Sequence, residues 1–114
     1  QFLLQKGRKS VTDLFVFASA TEDNKGSQMS EIYDLAQAGA IGFSDGGISI
    51  EDSGMMIRLL QYISELHLPL IVQNDDKSIS FQGVMHEGPI STYLGQKGIP
   101  EIAETIVLKR NIEI

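Results

Sequence analysis

The stretch from Ala38 to Asp76 constrains the fold of this 114-residue chain more than any other part. It runs AGAIGFSDGG, continues through a segment with helical spacing, and ends in LPLIVQNDD. The order is strand, loop, helix, strand, with polar clusters Ser44-Asp45-Gly46 and Gln73-Asn74-Asp75 where the two strands end. In parallel α/β folds the carboxyl ends of neighbouring strands share one rim, and ligands bind in the crevice there. The two clusters are therefore expected to face a common crevice.

The flanking sequence extends the same alternation. Gln1 to Lys6 reads as a helix end closed by Gly7, followed by a basic turn through Arg8 and Lys9. Val11 to Ala20 contains the unbroken apolar run Leu14-Phe15-Val16-Phe17, the pattern of a strand covered on both faces. Glu22 to Gly26 is a charged loop, and Ser27 is placed to cap a helix running to Ala38, with Met29, Ile32, Tyr33 and Ala36 on one face. Ala40 to Ser44 is the second strand, and Asp45-Gly46-Gly47 must turn tightly after it. From Asp52 to His67 the stripe Met55, Met56, Leu59, Leu60, Ile63 and Leu66 predicts a helix packed on a core, with Asp52 or Ser53 as its cap. Leu70-Ile71-Val72 is the third strand.

Beyond it the signals shorten. They predict a strand at Ser78 to Phe81, a compact turn at Met85 to Pro89, a helical turn at Ile90 to Leu94, and breaks at Gly95 and Gly98. Pro100 is suited to start a last helix carrying Ile102, Ala103, Ile106 and Val107 inward. Strands that each lead into helical sequence imply βαβ crossovers and a parallel sheet. Two architectures meet that pattern: a small doubly wound sheet, or consecutive units of an eight-unit barrel.

A net charge of -6 argues against nucleic acid or an anionic membrane surface as partner. The chain has no cysteine, which excludes a disulfide framework and a thiolate metal site. No apolar run approaches the roughly 18 residues of a membrane span, and a cytoplasmic location is expected. The chain opens on Gln1 and the apolar Phe2-Leu3-Leu4, so we expect an excised piece of a larger domain.

Asp45, at a strand end, is placed either to bind a metal or act as a base, or to bond the amides of its own turn. Asp75 and Asp76 are adjacent, so their side chains diverge, and a paired-carboxylate site needs a partner from another strand. His86 is a candidate ligand or acid-base group, against the commoner surface histidine. Gln73 and Asn74 are neutral and orient polar ligands better than they bind zinc. No nucleophile-His-acid set, phosphate loop or dinucleotide glycine pattern is present. A family-free reading gathers Ser19, Asp45 and Gln73 around the crevice of a small ligand-binding domain.

Together AGAIGFSDGG, Met55-Met56, LPLIVQNDD, Met85-His86-Glu87-Gly88, Ser91, Leu94-Gly95, Gly98-Ile99-Pro100, Ala103-Glu104 and Lys109-Arg110-Asn111 resemble dihydroorotase of the amidohydrolase superfamily, in the type that includes multifunctional-complex members. The resemblance runs from Val11 to Ile114. It implies an α/β fold made of consecutive βα units of a (β/α)₈ TIM barrel, with residues 1–114 as one fragment of the barrel domain. It also implies zinc-dependent interconversion of carbamoyl aspartate and dihydroorotate in pyrimidine biosynthesis. The family's Ser-Asp-Asp-Gly turn falls on Ser44-Asp45-Gly46-Gly47, so its second acid, a metal ligand in some members, falls on Gly46. Its histidine at the next strand end falls on Gln73, and its Asn-Glu-Gly on His86-Glu87-Gly88. By this resemblance Gly46 and Gln73 are degenerate metal positions, and Asp45, Asn74, Asp75 and His86 form what is left of the site. No zinc is expected in the fragment and no catalytic residue is assigned. Aspartate carbamoyltransferase is the partner implied for the parent, and self-association is expected where a partial barrel leaves strand edges open. The enzyme alternative draws its zinc ligands from outside these residues.

Overall fold

In the computed structural model the chain is described for residues 2–8 and 10–114. Gln1 and Lys9, read above as part of the first helix and of the basic turn, lie outside the described residues. The chain forms two compact units, Gln1–Gln73 and Asn74–Ile114.

The first unit is built on a three-stranded parallel sheet in the order β1-β2-β3, with β1 at Phe17–Ser19, β2 at Gly42–Ser44 and β3 at Leu70–Ile71. Helix α1 spans Phe2–Gly7, α2 spans Ile32–Gln37 and α3 spans Ser53–Glu65, and a short 3-10 turn covers Glu22–Asn24. The register pairs Ser19 with Ser44 and Ser44 with Ile71, so the three strands end side by side. Close approach explains the small residue in the central strand. A Cβ on Gly42 would lie 2.5 Å from Phe17 Cε1 and 2.9 Å from Pro69 Cγ.

Helix α3 follows its sequence signal closely. Asp52 Oδ1 accepts from Met55 N at 2.6 Å, which satisfies one of the first-turn amides that no helical carbonyl can reach. Met55, Met56, Leu59 and Ile63 recur at helical spacing and pack with Ala20, Ile32, Phe43 and Ile50 into the core.

Other expectations are corrected. The strand read over Val11 to Ala20 shrinks to Phe17–Ser19, and Leu14, Phe15 and Phe17 are exposed instead of covered on both faces. β1 is an edge strand with one neighbour, and an apolar run reports a need for burial without supplying the second layer. Ser27 caps no helix; α2 begins at Ile32. Residues before it pair back instead, with Glu22 N donating to Gln28 O at 2.9 Å and Ser30 N to Ala20 O at 3.1 Å. Met29 thus lies outside the helix in a bridge to Thr21, and Tyr33 is exposed.

In the second unit, Ser78 to Phe81 is not a strand. Helix α4 occupies Lys77–Ser80 because Asp76 caps it, Oδ1 accepting from Ser78 N at 2.9 Å. The Met85 to Pro89 turn and the Gly98 break are also revised: β4, Met85–His86, pairs in parallel with β5, Gly98–Ile99. Two-residue strands are too short to show a period of two. Helix α5 spans Pro89–Leu94 and ends at Gly95 in the left-handed conformation. Helix α6 spans Ile102–Glu113, so Pro100 precedes it; Ala103 and Val107 are buried, whereas Ile102 and Ile106 are exposed. No helix of the described residues is long and apolar enough to cross a membrane.

Candidate functional site

The rim at the carboxyl ends of β1, β2 and β3 gathers Ser19, Asp45 and Gln73. Asp45 follows β2 directly and is only 2% exposed. Its backbone amide donates to Ile71 O at 3.1 Å, continuing the pairing with β3 for one residue past the strand. Its carboxylate accepts twice, at Oδ1 from Gly47 N at 3.0 Å and at Oδ2 from Gln73 N at 2.6 Å. The second bond joins residues 28 apart in sequence. Two backbone amides facing the two Asp45 oxygens satisfy this buried polar group without a cation.

The turn that follows is held in the same way. Gly46 N donates to Ser44 Oγ at 3.1 Å, and Gly46 and Gly47 have φ of 68° and 84°, where a side chain is strained. A Cβ on Gly46 would fall 2.5 Å from Asn24 Cγ, and one on Gly47 would lie 3.3 Å from Gln73 Oε1. The Asn24 side chain therefore stands over Gly46, and that of Gln73 lies beside Gly47. Ser19 Oγ reaches both the Thr21 carbonyl and Asn24 Oδ1, the latter at 2.5 Å.

Asn24 is the site residue that the sequence reading missed. Glu22 to Gly26 reads as a featureless charged loop, yet Thr21 is fully buried and its Oγ1 accepts from Gly26 N at 3.0 Å. Thr21 preceding a run that ends in Asn24-Lys25-Gly26 is a turn signal that charge content hid.

The remaining candidates belong to the second unit and are engaged there. Asn74 Oδ1 accepts from Asn111 Nδ2 at 2.9 Å, and Asn111 Oδ1 accepts from Arg110 Nε and Nη2 at 3.0 and 2.8 Å. Asp75 meets Lys77 Nζ at 2.5 Å. That bond, with a smaller contribution from Ser80, holds the Asp75 carboxyl below its ordinary value. Asp76 is lowered as well, chiefly by the Ser78 hydroxyl, which donates to Oδ1 at 2.6 Å. His86 is exposed on β4, with Ile99 as its register partner.

As a zinc donor set these residues do not fit. Each oxygen of Asp45 already accepts from a backbone amide, Gly46 has no side chain, and Gln73 offers a neutral amide where zinc sites use His, Cys or a carboxylate. Among the described residues no three His, Asp or Glu side chains are grouped to hold a metal ion. What the rim can do is hydrogen-bond and hold its own loops together.

Comparison with known proteins gives these positions their context. A sequence profile described as Dihydro-orotase-like matches residues 3–114. The chain is 40% identical over 111 residues to a dihydroorotase of Pelotomaculum thermopropionicum, covering 97% of this chain and 26% of that protein. It is 38% identical over 113 residues to a dihydroorotase of Endomicrobium trichonymphae, covering 98% and 27%. A dihydroorotase of a Thermoanaerobacter species is 38% identical over 105 residues, covering 92% and 24%. The chain thus spans about a quarter of the length of these curated relatives. With a family profile covering nearly all of it and the family's motifs in order along it, this chain belongs to the dihydroorotase-like family.

Proposed function

We propose that this chain is part of a dihydroorotase-like protein of pyrimidine biosynthesis whose metal site is retired and whose role is structural. In that reading its βα units are consecutive units of a (β/α)₈ barrel, and the β1-β2-β3 rim is the former active-site face. One observation carries the proposal: each oxygen of the Asp45 carboxyl, at the strand end where the resemblance calls for metal chemistry, accepts a hydrogen bond from a backbone amide, Gly47 N for one and Gln73 N for the other. Those bonds aim Asp45 at its own turn and at the end of β3, and a cation drawing on either oxygen would compete with them and weaken them. Glycine at position 46 and glutamine at position 73 add no donor that would offset that loss.

The partners that accompany this reading are aspartate carbamoyltransferase for the parent protein and, for this chain alone, a second copy covering open strand edges. Phe15, 68% exposed next to the edge strand β1, is the kind of side chain such an association would cover. Sedimentation of the isolated chain is expected to show dimers or larger species; a strict monomer at high concentration argues against self-association.

The function itself is tested on the full-length protein, purified with zinc, dialysed and assayed in both directions with carbamoyl aspartate and dihydroorotate. We expect no stoichiometric zinc and no turnover. About one zinc per chain together with robust turnover would overturn the proposal, and loss of that turnover in Asp45→Asn or His86→Ala would assign it to these residues.

A further inference from the structure

Resting on the retired-site reading, we propose that the rim is closed by a plug, the Asn24 side chain, which occupies the space into which a side chain at position 46 would project. The missing ligand at Gly46 is then not an empty place awaiting an acid. It is filled from the loop after β1.

Three independent features converge on Asn24. The first is steric: a Cβ on Gly46 would meet Asn24 Cγ at 2.5 Å, Oδ1 at 2.6 Å and Cβ at 3.0 Å, closer than non-bonded atoms approach. The second is tethering. Ser19 Oγ lies 2.5 Å from Asn24 Oδ1 and offers its single proton to that oxygen or to the Thr21 carbonyl. The third is backbone strain. Asp23 and Asn24 both have positive φ, 53° and 55°, in a stretch whose ends are secured by Asn24 N donating to Thr21 O at 3.2 Å and Gly26 N to Thr21 Oγ1 at 3.0 Å. Two consecutive non-glycine residues in the left-handed region persist only where the surroundings over-determine them, and here that conformation delivers the asparagine onto the glycine turn.

The plug and the Asp45 clamp divide the work. Asp45 ties the β2 turn to the end of β3, Ala20 N donates to Ser44 O at 2.8 Å to join the ends of β1 and β2, and Asn24 stands over the glycine between them. Restoring an acid at position 46 would then not restore a metal site unless Asn24 is also removed.

The experiment uses the full chain with Gly46→Ala, Asn24→Ala and the two combined, followed by thermal unfolding. Gly46→Ala alone is expected to lower Tm by roughly 8 °C, from strain at positive φ and from overpacking against Asn24. In the Asn24→Ala background the same change should cost about half as much, because only the backbone strain remains. Zinc retention supplies a second readout: Asn24→Ala/Gly46→Asp/Gln73→His should hold zinc at least about tenfold more tightly than Gly46→Asp/Gln73→His. Additive Tm losses, or equal zinc retention with and without Asn24, overturn the plug. Stoichiometric zinc in the unaltered protein instead overturns the retired-site reading beneath it, so the two failures are distinguishable.

Discussion

Asp45 shows how one residue type supports opposite functions according to what faces it. From sequence, an aspartate at a strand end is a ligand or a base or, more often, a turn residue; here its two oxygens accept from amides at 3.0 and 2.6 Å. Its replacement by asparagine turns one acceptor into a donor facing a backbone N–H, inside a position that is nearly fully buried. Asp45→Asn is expected to destabilise the first unit by about 2–3 kcal/mol, measured by urea unfolding, with zinc content unchanged. The reason the clamp was illegible is physical. Gln73 N is 28 residues away, and no local pattern reports which amide a carboxylate will find. The Gly47 half of the bond was legible, since Asp before two glycines is a turn signal in its own right.

Elements divide by how local their determinants are. α3 was readable end to end, because the cap, the apolar stripe and the absence of proline all lie within it. Asp52→Ala removes the bond to Met55 N and should cost about 1 kcal/mol. Leu59→Ala opens a cavity where the side chain is fully buried and should cost about 2–5 kcal/mol, both measured by denaturant unfolding. α4 was misread because Ser78 to Phe81 alternates weakly like a strand, whereas the Asp76 cap decides for helix. α2 was read too long at its start: Ser27 has the chemistry of a cap, but the pairing of residues 28–30 with Ala20 and Glu22 offers their backbone groups a better use.

For the molecule as a whole, acid sensitivity follows from Asp75 and Asp76. Both carboxyls are held below the ordinary value of 3.8, by Lys77 and then Ser80 for Asp75 and chiefly by the Ser78 hydroxyl for Asp76. A depressed folded-state value means the stabilisation is fully present above the unfolded value and is lost as pH falls through the folded one. Stability should therefore decline below about pH 4. Lys77→Ala should flatten that decline, by less than about 1 kcal/mol because the Lys77 side chain is half exposed and its charge is screened by solvent. Guanidinium midpoints between pH 2 and 6 would check this, and an unchanged acid limb in the variant would remove Lys77 from the account.

By itself the sequence determined the α/β alternation, the parallel sheet, the core stripe of α3 and the family, since each is written in residues near one another or in motifs kept in order. Only the tertiary structure decided that β1 is a short edge strand, that Met85-His86 pairs with Gly98-Ile99, and that Asn24 stands over Gly46. These depend on which distant groups meet. Burial and hydrogen bonding are satisfied in space, and a chain records its own propensities but not the partners that folding brings to them.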